Sequence, residues 1–138
     1  MAKTFVPRRH VSYRMKDVIE TDDAPEAVGA YSQGTATEDL VFTAGQVPLK
    51  PDGEMVDGGV AEQTERALKN VSAVLEAGGS SLEDAVKVTV FLNDIDDFGE
   101  MNEVYQGFFD DEPPARSAVE VGEVPLGAAV EIEAIGVR

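Results

Sequence analysis

The chain changes its hydrophobic period from helical to strand-like between residues 60 and 92, and this change limits the folds open to it. From Val60 to Ala77, apolar side chains recur at steps of three and four, which predicts a helix that Gly78-Gly79 can end. Val86 to Leu92 instead alternates, with Val86, Val88 and Val90 on one face, as a strand does. Both patterns in one short chain predict an α+β domain.

Further strands are predicted on both sides of this pair of elements. They are short runs bounded by turn residues, and they cover Lys16–Glu20, Ser32–Thr37, Leu40–Gln46, Ala115–Val121 and Ala128–Val137. The second and third of these form a hairpin that turns at Glu38-Asp39, and Pro48 to Gly59 is a loop.

A second helix is predicted where apolar side chains again repeat at steps of three and four, before Pro113-Pro114. Its stripe belongs to the core and consists of Phe98, Met101, Tyr105 and Phe108. The resulting order, ββ(β)αβαββ, predicts a mixed sheet with both helices on one face.

The charge is strongly negative and unevenly distributed. There are 27 Asp and Glu against 11 Lys and Arg. Residues 1–14 hold four of the basic groups and no acid, so residues 15–138 carry a net charge of −20. We therefore expect residues 1–14 to be a basic arm and residues 15–138 the domain. Such a body should repel nucleic-acid phosphates and anionic membranes, and it favours a halophilic source over an ordinary acidic protein.

Other features point to a cytoplasmic protein without a cofactor. No apolar run approaches the roughly 18 residues that span a membrane, and no signal peptide is visible. The chain contains no cysteine, which agrees with an intracellular setting. Its one histidine, His10, lies in the arm, so no convincing set of metal ligands is present.

The residues most suited to chemistry lie on the last two predicted strands. Strand alternation puts Arg116, Ala118 and Glu120 on one face, and Glu131 with Glu133 on one face. A guanidinium can bind a substrate carboxylate while a nearby carboxylate moves protons, which suits hydrolysis of a small organic acid derivative. Alternatively, Arg116 forms a surface or interface salt bridge, and the two glutamates line the solvated face of an edge strand.

Five separated segments share an order and spacing with a known family. They are Val28–Gly34, Thr43–Pro48, Asn102–Tyr105, Pro114–Ser117 and Val130–Ile135. From about Met15 to Arg138 the chain resembles the Rid family of reactive-intermediate imine deaminases, also called YjgF-like or L-PSP endoribonuclease-like proteins. The resemblance implies a chorismate-mutase-like α+β fold, a homotrimer, and active sites in the clefts between subunits.

The resemblance also implies roles for single residues. Arg116 matches the arginine that binds the substrate carboxylate, and Glu131 matches the acid that positions and activates water. Tyr31 matches a pocket tyrosine contributed across the subunit interface, Asn102 an asparagine near the site, and the Gly45 backbone part of the substrate cradle. Two plainer interpretations stay open: Tyr31 as interface packing, and Asn102 as a helix residue that satisfies a loop.

Two positions depart from the family pattern. Ala44 stands where many members have a serine that touches substrate, and Ala118 where many have a cysteine whose backbone carbonyl alanine retains. One missing hydrogen bond costs about 0.5–1.5 kcal/mol, roughly a tenfold effect. The implied reaction converts a 2-imino acid, derived from an enamine, to a 2-oxo acid and ammonia without cofactor or metal.

Two other functions stay open at this point. The first is a small-molecule carboxylate-binding protein with little turnover, because Ala44 lacks the hydroxyl. The second is an RNA-directed or translation-inhibiting protein, which the net charge of −20 on the body disfavours unless the basic arm supplies contacts.

Overall fold

Six strands and two helices follow the order that the hydrophobic periods predict. The computed structural model describes residues 15–138. The predicted arm at residues 1–14 lies outside them. The elements are β1 (Asp17–Ile19), β2 (Gly34–Ala36), β3 (Leu40–Thr43), α1 (Val60–Ala77), β4 (Ala85–Leu92), α2 (Phe98–Gln106), β5 (Ala115–Glu120) and β6 (Val130–Val137). Short 3-10 turns at Ile95–Asp97 and Pro125–Gly127 precede α2 and β6.

The strands form one mixed sheet in the order β1-β2-β3-β6-β4-β5. The pairing of β4 with β5 is parallel and all other pairings are antiparallel. The last strand, β6, therefore lies inside the sheet, and the alternative that Glu131 and Glu133 belong to an edge strand is wrong. Arg116 does lie on an edge strand, because β5 has only β4 as a neighbour.

One face of the sheet is covered by both helices, as predicted. The fully buried side chains of β4 and β6 that form this face are Val88, Val90, Leu92, Val130 and Ile132. The apolar stripe of α1 packs on them with Leu68, Val71, Val74 and Leu75, all fully buried. This layer is the core, and the opposite face of the sheet has no covering layer within residues 15–138.

The predicted alternation of β4 is wrong at its first residue. Val86 is 47% exposed, whereas Val88 and Val90 are fully buried. The pairing of β4 with β6 shifts register between Ala85 and Lys87, and this irregularity takes Val86 off the core face.

The end of α1 follows the predicted glycine pair. Gly79 has a φ of +93°, in the left-handed region that favours glycine after a helix. A Cβ at Gly78 would lie 2.8 Å from a methyl carbon of Val41, so the helix end packs closely on β3.

Arg138 joins three parts of the fold at the far end of β6. Its guanidinium donates to the carbonyl oxygens of Gly78 (3.0 Å) and Thr37 (2.7 Å) and pairs with the Asp17 carboxylate at 3.0 Å. This arginine therefore has a structural partner for its charge. Among residues 15–138, neither helix has the length and apolar character needed to cross a bilayer.

Candidate active site

Arg116 extends from the edge strand β5 onto the helix-covered face of the sheet. Its backbone is opposite Val88, a core residue, and the side chain is half-buried. One terminal nitrogen, Nη1, donates a hydrogen bond of 2.7 Å to Oδ1 of Asn102 on α2. Asn102 is therefore a partner of the guanidinium.

Two aromatic rings of α2 lie against the same guanidinium. The Arg116 Cζ is 4.6 Å from the ring centre of Tyr105 and 5.3 Å from that of Phe98. Residues 98, 102 and 105 share one face of a helix, so a single element supplies all three contacts. Burial raises the pKa of the Tyr105 phenol, and the Arg116 charge opposes that rise only in part, so the ring is neutral at ordinary pH.

No carboxylate of residues 15–138 lies within 4.0 Å of the Arg116 guanidinium. The ion pairs in this part of the chain join Lys69 to Glu65 and Arg138 to Asp17. Arg116 therefore forms no salt bridge within residues 15–138 of one copy, and the alternative of a salt bridge across a subunit interface stays a prediction. Arg66 is likewise half-buried and bonded to an amide, Asn70, but only Arg116 among the described arginines also lies against two aromatic rings.

Glu131 occupies the other face of the sheet and lies against Gly45. Its backbone is opposite Phe91 of β4, and its side chain is half-buried. A Cβ at position 45 would lie 2.8 Å from the Glu131 carboxyl carbon, so glycine makes room for the carboxylate. Burial raises the pKa of Glu131, and the nearby charge of Glu133 raises this pKa further.

Ala44 and Gly45 form a bulge between β3 and β6. Phe42 pairs with Ile135 and Gln46 with Ile132, so three residues of one segment oppose two of the other. The Ala44 N–H donates to the carbonyl of Gln33 at 2.8 Å.

At this bulge, a side chain supplies one hydrogen bond between β3 and β6. Thr43 Oγ1 accepts from the Ala134 N–H at 3.1 Å. The Gly45 N–H donates to no acceptor within residues 15–138.

The two charged candidates do not meet within one chain. Register places Arg116 beside Val88 on the covered face, whereas Glu131 is beside Phe91 on the open face. Their strands are also two positions apart, about 10 Å across the sheet. A small substrate that touches Arg116 therefore cannot touch Glu131 of the same copy.

The remaining predicted residues lie close to one or the other half. Ala118 is half-buried, two residues after Arg116 on the same face, and packs against the core. Tyr31 is 55% exposed on the loop before β2. The buried side chain of Gln33 holds that loop, because it accepts from the Thr21 N–H (2.7 Å) and donates to the Pro25 carbonyl (2.8 Å).

Sequence reasoning missed Phe98 and Tyr105 as neighbours of Arg116. Their apolar spacing predicted core residues; Tyr105 is in the core, and Phe98 is half-buried and packs against it. The available signal was Asn102, which stands on the same helical face between them. Within residues 15–138, no three His, Cys, Asp or Glu side chains cluster in a way that would hold a metal ion.

Known proteins resemble this chain over most of its length. Residues 21–138 match the family model described as Endoribonuclease L-PSP. The 2-iminobutanoate/2-iminopropanoate deaminase of Rattus norvegicus is 44% identical over 90% of this chain and 91% of its own length. The crystal structure of the Thermotoga maritima protein TM0215 has a TM-score of 0.86 and 50% identity, covering 90% of this chain and 98% of that one. The structure of E. coli TdcF with bound serine has a TM-score of 0.85 and 43% identity, covering 88% and 98%.

Proposed function

This chain belongs to the endoribonuclease L-PSP family, whose members are also called YjgF-like or Rid proteins, and we propose that it is a hydrolytic imine deaminase. It converts reactive 2-imino acids of the 2-iminobutanoate and 2-iminopropanoate class to 2-oxo acids and ammonia. The observation that carries this proposal is the environment of Arg116. Its half-buried guanidinium contacts neutral groups and pairs with no carboxylate of residues 15–138.

The substrate carboxylate binds Arg116. A guanidinium has five N–H donors, and Asn102 accepts from one of them. Aromatic faces attract the cation without accepting hydrogen bonds from its N–H groups. Two parallel N–H groups therefore remain to donate to a carboxylate. Two such bonds fix the orientation of the substrate as well as its affinity, and they present the imine carbon in a defined direction.

Glu131 transfers the protons. Water adds to the imine carbon while the C=N π electrons move to nitrogen, and the Glu131 carboxylate accepts the proton that water loses. The protonated acid donates this proton to the nitrogen, which gives a carbinolamine. Glu131 then transfers the carbinolamine hydroxyl proton to the amino nitrogen, the C=O bond forms as the C–N bond breaks, and ammonia and the 2-oxo acid are released. A raised pKa suits this exchange, because it brings the acid and carboxylate forms of Glu131 closer in free energy near neutral pH.

A complete site needs a second copy of the chain. Arg116 and Glu131 lie on opposite faces of one sheet, so the site joins Arg116 of one subunit to Glu131 of its neighbour. The assembly is a homotrimer, in which a repeated heterologous contact closes into a ring with three equivalent sites. Apolar side chains on the open face, including the 44%-exposed Val119 and 50%-exposed Val18, provide surface for such contacts.

A second function, carboxylate binding with little turnover, is favoured by two observations. The E. coli TdcF structure contains bound serine, which carries a carboxylate. Ala44 also lacks the hydroxyl of the serine that many members have there. The wild-type rate and the variant Ala44→Ser together separate the two functions: a deaminase turns over with Ala44 in place and gains at most about tenfold from the serine, whereas a binding protein shows little turnover until the serine is restored. An RNA-directed function is disfavoured by the net charge of −20 on residues 15–138.

The test is ammonia release from freshly generated 2-iminobutanoate and 2-iminopropanoate. The wild-type protein should accelerate release, and Arg116→Ala should abolish the acceleration. Lys69→Ala is the matched control, because it removes an exposed cation that is paired only with Glu65. Equal rates for wild type and Arg116→Ala would contradict the proposed function.

A further inference from the structure

The side of α2 that faces Arg116 has a composition that packing alone does not explain. Phe98, Asn102 and Tyr105 together surround the guanidinium with one amide oxygen and two rings. A purely structural arginine at this position would be stabilised most by a carboxylate, and acidic residues are abundant in the chain. The helix instead supplies groups that attract a cation and leave its paired donors unused.

We propose that Phe98 and Tyr105 are positioning residues, which hold the Arg116 guanidinium in the orientation that binds the substrate carboxylate. This inference rests on the proposed function and adds to it two residues whose aromatic faces act through Arg116 rather than on the substrate. Asn102 fixes the guanidinium at Nη1, and the two rings restrict the remaining rotation of a long, flexible side chain.

The neutral state of Tyr105 is part of this arrangement. A phenolate would pair with Arg116 as an anion and compete with the substrate carboxylate. Burial raises the Tyr105 pKa and keeps the phenol protonated, so its ring attracts the cation without competing for its N–H groups. The Tyr105 hydroxyl is buried and has no partner within residues 15–138, so the ring, not the hydroxyl, carries the proposed role.

The two rings differ in the strength of their expected effect. Tyr105 is 4% exposed and lies 4.6 Å from the Arg116 Cζ, whereas Phe98 is half-buried at 5.3 Å. Because the attraction falls with distance and with exposure to water, Tyr105 should position Arg116 more strongly than Phe98.

The experiment measures KM and kcat for 2-iminobutanoate in single ring-removing variants. Tyr105→Leu should raise KM about tenfold and Phe98→Leu about threefold, with much smaller changes in kcat, because a misplaced guanidinium binds ground state and transition state alike less well. Tyr105→Phe keeps the ring and should stay within about twofold of wild type. Phe109→Leu is the packing control. The ring centre of Phe109 lies 4.7 Å from that of Tyr105, and this variant should leave KM unchanged.

A double-mutant cycle separates positioning from general destabilisation. In an Arg116→Ala background, Tyr105→Leu should weaken binding of the product 2-oxobutanoate by less than about twofold, compared with about tenfold when Arg116 is present. Equal effects in both backgrounds would overturn the proposal, as would a Tyr105→Phe variant as impaired as Tyr105→Leu. If Tyr105→Leu does not fold, Phe98→Leu in the same cycle decides the matter.

The outcome is independent of whether the proposed reaction occurs. If the wild-type protein releases no ammonia, the proposed function fails. Titration calorimetry with 2-oxobutanoate then tests the positioning role alone. The role is supported if binding weakens most in Tyr105→Leu, less in Phe98→Leu and least in Tyr105→Phe. Equal binding by all three variants and wild type overturns it.

Discussion

The covered and the open faces of the sheet treat their charged residues in opposite ways. On the covered face, Arg116 is a cation surrounded by an amide and two aromatic rings. On the open face, Glu131 is an anion held beside Gly45 and near a second anion, Glu133. The first charge lacks an ionic partner, and the second has a neighbour of its own sign.

This difference indicates that each face carries half of one site. A structural ion pair between the faces is impossible within one copy, yet both charges remain half-buried without a neutralising partner among residues 15–138. Half-buried charges are costly, so residues that keep them are candidates for function.

The open face should tolerate loss of one glutamate but not of the other. Glu131→Gln is expected to lower kcat for 2-iminobutanoate hydrolysis about a hundredfold, because the amide cannot transfer protons. Glu133→Gln, the neighbour on the same face, should retain most activity. Equal losses in both variants would show that the carboxylate pair acts only through its summed charge.

Gly45 should matter because of the space that it leaves for Glu131. Gly45→Ala places a Cβ 2.8 Å from the Glu131 carboxyl carbon and should displace the carboxylate, with a loss in kcat of about tenfold. Gly99→Ala is the matched control, since a Cβ there meets nothing within 4 Å. A Gly45→Ala variant as active as Gly99→Ala would remove Gly45 from the site.

Added salt tests whether repulsion between acidic side chains, as between Glu131 and Glu133, destabilises the whole domain of residues 15–138. A net charge of −20 on residues 15–138 should repel itself in dilute buffer, where the Debye length is about 30 Å at 0.01 M. The melting temperature should therefore rise from low to molar salt, with KCl as well as NaCl. A flat or falling melting temperature would contradict a halophilic source.

The pKa of Glu131 predicts a small effect on stability with a definite sign. The Glu131 pKa is raised in the folded state, so folding favours the protonated acid. The contribution of Glu131 to the free energy of unfolding is therefore fully present below the ordinary glutamate pKa of about 4.3, and it is lost as pH rises through the raised pKa. Glu131→Gln should thus melt at a higher temperature than wild type at neutral pH. This advantage should vanish in acid below about pH 4. A variant that is less stable at neutral pH would refute the raised pKa.

The sequence predicted local structure better than it predicted the sheet. The bounds of α1 are those that the helical period gave, Val60–Ala77, because a long amphipathic stripe and two terminal glycines specify them locally. The place of β6 inside the sheet was not predictable from its alternation. Periodicity shows which residues share a face of one strand, but it does not show which strands pair.

The candidate site shows the same limit. Alternation correctly placed Glu131 with Glu133 and Arg116 with Ala118, but the two pairs lie on opposite faces because of the registers of β4 with β5 and β6. Tyr105 was predicted only as core, since an apolar stripe contains no information about a cation above it.

The most direct test of the two-half account is to mix two inactive proteins. Arg116→Ala and Glu131→Gln chains, coexpressed with different tags and purified as mixed assemblies, should regain imine hydrolysis where an intact Arg116 of one copy meets an intact Glu131 of its neighbour. Each mixed closed trimer contains one intact site out of three, so the purified assemblies should show about one third of the wild-type rate. No recovery above the separate variants, in assemblies shown to contain both tags, would mean that the two residues do not act together across subunits.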